Sequence, residues 1–197
     1  MKMIDKAKIE SVATEIYSRH CKKGNPAKML SKIISAEKIK LREVPGNENF
    51  LGAFLKQPNG QLYIFVNKNI DNIGRKNFTL AHELGHFALQ HYLHTASFFC
   101  GENEITEENK AISDQEKEAN YFASCFLLPK EKVKKEFIKR LQWRTNNKNK
   151  EFLAVSPLGK SYSDWKAISS NLMKDYHVSE VVLKIRLAEL GLVRFDF

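Results

Sequence analysis

Residues 78–89 form an apolar segment with two histidines and a glutamate. This segment restricts the possible fold and function of the chain more than any other stretch. His82 and His86 lie four residues apart. On a helix their side chains therefore project from the same side, about one turn from each other. Zinc accepts neutral imidazole nitrogen as a ligand, so this pair predicts a metal site.

The residues around the two histidines predict that this helix is buried, because a helix that is apolar all round lies inside a protein. These residues are Phe78, Leu80, Ala81, Leu84, Phe87, Ala88 and Leu89. Buried imidazole and carboxylate groups need polar partners, because burial removes their hydration. In the H-E-x-x-H pattern a zinc ion is that partner, and Glu83 occupies the position of the general base toward the attacking water.

The charge of the chain is uneven along its length, although the total is +9 over 197 residues. Residues 1–100 hold 15 Lys and Arg against 8 Asp and Glu, and residues 129–197 hold the same numbers. Residues 101–128 hold 2 against 7. A basic excess is compatible with nucleic acid or an acidic protein as partner, but a solvated lysine-rich face is its commoner cause, so nucleic acid is not favoured.

Three features predict a cytoplasmic protein. The three cysteines, Cys21, Cys100 and Cys125, are widely spaced and form no C-x-x-C pair, which favours a reducing compartment. The first residues contain no apolar stretch typical of a signal peptide. No apolar run approaches the length that a membrane span needs, so no membrane association is expected.

Hydrophobic periodicity predicts an α+β fold over the first two thirds of the chain. An N-terminal helix and a second short helix precede three strands, which we expect to form a small, mostly antiparallel sheet before the His82 helix. A loop, a second strong helix and a basic amphipathic helix follow it. The predicted ranges are helices 4–20 and 26–36, strands 39–44, 50–55 and 61–66, a helix from Asp71 or Asn72 to His91 or Tyr92, loop 94–113, and helices 114–128 and 130–140.

The remainder of the chain predicts a separate helical part. Residues 141–160 contain a run of Arg, Asn and Lys that is typical of a flexible basic connection. Two helical patterns, 162–175 and 179–190, then flank Tyr176–Val178, and a short strand ends the chain. We therefore predict a metallopeptidase domain over 1–140, a connection over 141–160, and a helix-turn-helix-like lobe over 161–197 that packs on the core.

A catalytic zinc with two histidines needs one more protein ligand, and the helix that follows the loop offers Glu116 and Glu118. These two residues lie about 200° apart around the helix, so only one can face the metal. Glu116 shares a face with Asn120, one turn later, so we predict Glu116 as the ligand and Asn120 as a hydrogen-bond partner of a ligand. Glu118 is then assigned to solvent, and His91 and His94 to the surface or the rim of the site.

Two motifs in order resemble the ImmA/IrrE family of bacterial and phage metallopeptidases. They are Phe78-Thr79-Leu80-Ala81-His82-Glu83-Leu84-Gly85-His86 and Glu116-Lys117-Glu118-Ala119-Asn120-Tyr121-Phe122-Ala123, the second followed by Leu127-Leu128-Pro129. The resemblance extends from about Phe65 to Pro129, with a weaker likeness over 178–192. It implies a zincin-like core in which His82, His86 and Glu116 hold Zn²⁺. It also implies action on a helix-turn-helix repressor, which is cleaved or otherwise inactivated.

The leading prediction is a zinc-dependent, site-specific endopeptidase that inactivates such a repressor in a phage, mobile-element or stress-response switch. Glu83 is the predicted catalytic base, and His91, Tyr92 and Tyr121 are candidates for stabilising the oxyanion. Two other functions stay open. One is a zinc-containing DNA-binding transcriptional regulator, and the other is a toxin–antitoxin-type partner without peptidase activity.

The predicted C-terminal helix pair distinguishes the endopeptidase from the DNA-binding regulator. Recognition helices present Arg, Asn or Gln to the major groove, whereas this second helix carries Val181, Leu183 and Ile185. We therefore predict that the pair docks a protein substrate. Basic side chains would steer an acidic partner toward the helix pair. These residues are Lys160, Lys166, Lys174, Lys184 and Arg186.

Overall fold

A computed structural model describes residues 4–21, 24–47, 49–93 and 114–196, together with the backbone of 97–100. The chain divides into two compact units, Met1–Leu127 and Leu128–Phe197. Both contain helices and strands, which confirms the mixed α and β composition. No helix in the described part of the chain has both the length and the hydropathy needed to cross a bilayer.

The first unit contains four helices and four strands in its described residues. In chain order they are α1 (Lys6–His20), α2 (Pro26–Ala36), β1 (Ile39–Val44), β2 (Gly52–Lys56), β3 (Leu62–Asn67), α3 (Ile73–Ala88), β4 (Ser97–Cys100) and α4 (Asp114–Leu127). The strands form one sheet in the order β1-β3-β2-β4. The β1–β3 pair is parallel, and the β2–β3 and β2–β4 pairs are antiparallel, so the sheet is mostly antiparallel as predicted.

Strand β4 corrects part of the loop predicted over 94–113. Gly52 pairs with Cys100 and Leu55 with Ser97, so this segment extends the sheet beyond β2. The pairing partner lies far away in sequence, and a four-residue strand has too short a periodicity to be recognised locally. The other parts of that predicted loop, 94–96 and 101–113, lie outside the described residues, and so does His94.

Helix α3 begins at a side-chain cap and is buried along most of its length. The Oδ1 atom of Asn72 accepts a hydrogen bond from the backbone N–H of Arg75 at 2.9 Å, as predicted for one of two candidate caps. Every residue from Asn77 to His86 is buried. Gly85 allows α4 to approach closely, because a Cβ atom at this position would lie 3.0 Å from Phe122 Cδ1 and 3.3 Å from Ala119 Cα.

The C-terminal end of α3 lies earlier than the predicted His91 or Tyr92. The helix ends at Ala88, and Gln90 has a left-handed φ of 60°. A turn of 3-10 helix over His91–Leu93 follows. The left-handed residue reverses the chain direction and places His91 beside His86, a position that a continuous helix would not give it.

Residues 128–196, the described part of the second unit, contain three helices and two short strands. They are α5 (Lys130–Thr145), β5 (Leu153–Val155), α6 (Lys160–Tyr176), α7 (Glu180–Glu189) and β6 (Val193–Phe195). Strands β5 and β6 pair in parallel. The stretch 141–160, predicted as a connection without regular structure, therefore includes the end of α5 and all of β5. Local pattern did not reveal β5 because its partner strand is the last element of the chain.

Helices α6 and α7 follow the predicted helix pair closely. His177 adopts a left-handed φ of 54° at the end of α6, and Ser179 caps α7. Val181 and Ile185 are exposed on α7. Arg186 is fully buried and its Nε donates to the backbone carbonyl of Leu128 at 3.2 Å, so the prediction that it steers a partner is wrong. A guanidinium can satisfy a buried carbonyl, and here that interaction replaces solvation.

Candidate metal centre

Helices α3 and α4 bring three potential metal ligands together. His82, His86 and Glu116 each offer one ligand atom, and these atoms all lie within 4.8 Å of one another. His82 Nε2 lies 3.0 Å from His86 Nε2 and 3.0 Å from Glu116 Oε2. His86 Nε2 lies 3.4 Å from Glu116 Oε1. The structure thus places the two predicted histidines and the predicted glutamate in one cluster.

The donor set fits a zinc ion with a catalytic arrangement of ligands. Two imidazole nitrogens and one carboxylate oxygen are a known set for catalytic zinc, which leaves a further position for water. With bonds of about 2 Å, ligand atoms in tetrahedral geometry lie about 3.3 Å apart. The observed separations of 3.0 to 3.4 Å match that spacing.

Asn120 fixes the orientation of the first histidine. Its Oδ1 atom lies 2.9 Å from His82 Nδ1. An amide oxygen only accepts hydrogen bonds, so His82 Nδ1 carries a proton and donates it. The remaining ring nitrogen, Nε2, is the atom that faces His86 and Glu116. This geometry agrees with the position predicted for Asn120, one helical turn after Glu116.

The charges around the cluster favour a cation. Burial acts to lower the pKa of His82, but hydrogen bonding to Glu116 and the charges of Glu83 and Glu116 outweigh it and raise that pKa. Burial lowers the pKa of His86 to about 4, against the opposing effect of Glu116. Burial acts to raise the pKa of Glu116, but hydrogen bonds from His82 and His86 outweigh it and lower that pKa to about 2. Glu116 is therefore ionised and His86 neutral, as metal binding requires of these two groups, while the raised pKa of His82 shows that the carboxylates favour a positive charge at this position.

Glu83 is fully buried next to the first histidine in sequence. Strand β2 approaches it closely, since a Cβ atom on Gly52 would lie 3.0 Å from Glu83 Oε1 and 2.6 Å from Thr79 Cγ2. A glycine at this point of the strand therefore leaves space for the carboxylate. The charge of Glu83 is also near enough to act on the pKa of His82. A carboxylate held beside a metal cluster in this way can accept a proton from a reacting water.

His91 and Glu118 lie closer to the site than predicted. His91 is 4% exposed, and its Nδ1 lies 2.9 Å from His86 Nδ1. Its Nε2 lies 3.0 Å from Glu118 Oε2. The assignment of His91 to the surface or rim is therefore wrong, whereas Glu118, with 33% of its side chain exposed, both meets solvent and pairs with His91. Five residues correspond to about 140° around a helix, so only the early end of α3 brings His91 to His86.

The other two candidates for stabilising an oxyanion have contacts elsewhere. The hydroxyl of Tyr121 donates to Glu10 Oε2 at 3.3 Å, and Lys6 lies over its ring. The ring of Tyr92 stacks on Phe87, with a centroid separation of 6.1 Å. These contacts do not support a role in stabilising the oxyanion for either tyrosine.

Comparison with known proteins agrees with this geometry. A family model described as Peptidase M78, IrrE N-terminal-like domain, matches residues 36–188. The match covers well over half of the 197 residues. The chain belongs to the Peptidase M78 family. This membership confirms the resemblance found in the sequence, and with the His82, His86 and Glu116 cluster it favours a metallopeptidase. No curated protein matches the chain at a significant level.

Proposed function

We propose that this member of the Peptidase M78 family is a zinc-dependent, site-specific endopeptidase. The observation that carries the proposal is the convergence of His82, His86 and Glu116, three side chains from two helices, within 4.8 Å. Glu83 follows His82 directly and is buried, so a general base accompanies the ligands. A purely structural zinc site is closed by four protein ligands. The cluster contains three among the described residues, which is the number expected for a catalytic site.

The chain's own residues would act on the peptide as follows. His82, His86 and Glu116 would hold the ion, and when bound, zinc supplies Lewis acidity that makes water nucleophilic near neutral pH. Glu83 accepts a proton from the attacking water at its carboxylate. It then donates that proton to the nitrogen of the leaving amine, so that the peptide C–N bond is replaced by a carboxyl and an amine product. Asn120 keeps the ring of His82 turned toward the cluster.

We further propose that the substrate is a helix-turn-helix transcriptional repressor. The proposal follows from the likeness of residues 78–86 and 116–129 to the ImmA/IrrE metallopeptidases. The exposed α7 residues Val181 and Ile185 support a protein substrate, since an exposed apolar surface more often marks a protein contact. Nucleic acid is a possible but less favoured partner, and we propose that the protein acts in the cytoplasm.

Incubation of the zinc-loaded chain with a helix-turn-helix repressor, sought first in the neighbouring reading frames, tests this function. We expect cleavage at a single bond, because repressor inactivation requires one cut rather than general digestion. Mass spectrometry of the products identifies that bond, and a chelator added before the repressor should prevent cleavage. Stable binding of the repressor without cleavage, in a chain with full zinc, would contradict the peptidase and favour the toxin–antitoxin-type partner.

The exposed residues of α7 provide a test of substrate docking. Val181→Asp removes apolar surface and adds a negative charge that repels an acidic partner, so we expect KM for the repressor to rise at least several-fold. Hydrolysis of a short peptide spanning the scissile bond should not change. Ser31→Asp, at an exposed position of α2 outside the docking helix pair, is the matched control for added charge.

The same variants distinguish docking from DNA binding. Sequence-specific binding of duplex DNA by the wild-type chain, lost in Val181→Asp but kept in Ser31→Asp, would contradict the docking proposal and favour a DNA-binding regulator. DNA binding without sequence preference follows from the +9 net charge in either case.

A further inference from the structure

A chain of hydrogen bonds leads outward from the candidate metal site through two residues that do not reach the cluster. His86 Nδ1 lies 2.9 Å from His91 Nδ1, and His91 Nε2 lies 3.0 Å from Glu118 Oε2. His86 is fully buried and His91 is 4% exposed. Glu118 is more accessible, with 33% of its side chain exposed. This series of hydrogen bonds thus connects the buried His86 with a carboxylate near the surface of the first unit.

Only one arrangement of protons satisfies this chain for neutral rings. A carboxylate accepts hydrogen bonds and cannot donate them, so His91 Nε2 carries the proton that binds Glu118. His91 Nδ1 then has a lone pair and accepts. His86 Nδ1 therefore carries a proton and donates it to His91. As a result, His86 Nε2 has a free lone pair and points at His82 and Glu116.

The opposite arrangement would block the site. If His91 donated from Nδ1, His86 Nδ1 would have to accept, and the proton of His86 would lie on Nε2. That atom is 3.0 Å from His82 Nε2 and is the one that would bind the metal. The carboxylate of Glu118 excludes this arrangement by accepting at the far side of His91. Glu118, which binds His91 and not His86, therefore determines whether His86 Nε2 is able to bind a metal.

We infer that His91 and Glu118 are positioning residues that hold His86 in the tautomer able to bind zinc. This inference rests on the metal site of the proposed function. His82 is oriented by a single amide oxygen, whereas His86 depends on a partner that could itself donate or accept. Glu118 is needed because His91 alone does not determine the direction of its hydrogen bond.

Two substitutions test the two positions separately. Glu118→Gln supplies an amide that can donate to His91 Nε2 as well as accept, so both tautomers of His86 become available. His91→Phe keeps a ring of similar size but removes the acceptor for His86. Loss of an outer partner of this kind typically lowers metal affinity about 10- to 100-fold. We expect each variant to lose zinc affinity within that range.

The affinity is measured by competition with a chelator on the full chain, and the matched control is Asp114→Asn. Asp114 lies on the same helix and pairs with Lys117 at 3.1 Å, so this variant removes one negative charge without touching His91. The double variant His91→Phe with Glu118→Gln should bind zinc no more weakly than His91→Phe alone, because Glu118 acts only through His91. A structural effect would instead be additive.

Nitrogen-15 NMR of the imidazoles gives a readout independent of turnover. In the wild-type chain His86 should carry its proton at Nδ1, and Glu118→Gln should show a mixture of tautomers. If Glu118→Gln binds zinc as tightly as the wild type and Asp114→Asn, or if the double variant is additive, the inference is wrong although the metal site stands. A wild-type chain that binds no zinc would contradict the proposed function itself. Because Glu118 is partly exposed, its variant keeps the test valid even if His91→Phe does not fold.

Discussion

Replacing Glu83 by glutamine should lower the rate of repressor cleavage by about 100- to 10,000-fold while zinc stays bound. The amide keeps the shape of the side chain but cannot accept the proton of the attacking water, and general-base catalysis typically contributes a factor of this size. The range corresponds to about 3–5 kcal/mol of activation free energy. Since Glu83 is outside the ligand cluster, zinc content should equal that of the wild type.

The measurement is kcat for the repressor under saturating substrate, with zinc content determined on the same preparation. Glu15→Gln is a matched control, because Glu15 is an exposed residue of α1 that pairs with Arg19. It should leave both kcat and zinc content unchanged. Cleavage by Glu83→Gln at the wild-type rate would show that the general base is another residue.

Substitution of a candidate metal ligand should also have a large effect, which is measured as zinc content and not as a reaction rate. His82→Ala and Glu116→Ala should each leave the purified chain without stoichiometric zinc, because each removes one of the three ligands that converge among the described residues. The loss of affinity should exceed the roughly 10- to 100-fold that outer partners contribute. Metal analysis after dialysis measures the content, and the melting temperature of the metal-free variants verifies that they fold.

Glu118→Ala is the informative comparison for this second prediction. It lies on the same helix as Glu116, but its carboxylate binds His91 rather than the cluster. We expect it to bind zinc more weakly than the wild type and more tightly than Glu116→Ala. Full zinc in Glu116→Ala, with loss in Glu118→Ala, would make Glu118 the third ligand.

The parts of the site that the sequence predicts are those that depend on helical periodicity. Four-residue spacing is enough to pair His82 with His86 and Glu116 with Asn120, because the helix fixes the directions of these side chains. The apolar residues around His82 also predict burial, which every residue from Asn77 to His86 confirms. Membership of the Peptidase M78 family agrees with the two motifs recognised in the sequence.

The parts that the sequence does not predict depend on a helix end or on contacts between distant segments. His91 reaches His86 only because Gln90 adopts a left-handed conformation. A glutamine in the sequence does not indicate such a conformation, because it is uncommon for residues other than glycine. Strands β4 and β5 are recognised only through their partners, β2 and β6. The charge of Arg186 predicts a role at the surface, but its side chain is buried and donates to the carbonyl of Leu128.

Gly85 has a consequence for how the three candidate ligands meet, although it supplies no ligand atom itself. The missing side chain lets α4 approach α3 until a Cβ atom would lie 3.0 Å from Phe122 and 3.3 Å from Ala119. That approach sets the separation between Glu116 on one helix and the two histidines on the other. Ions with bonds near 2 Å suit this separation, whereas Ca²⁺ needs oxygen ligands at about 2.3–2.6 Å and more of them. The close packing that Gly85 allows therefore accompanies a ligand spacing that suits the shorter bonds of zinc.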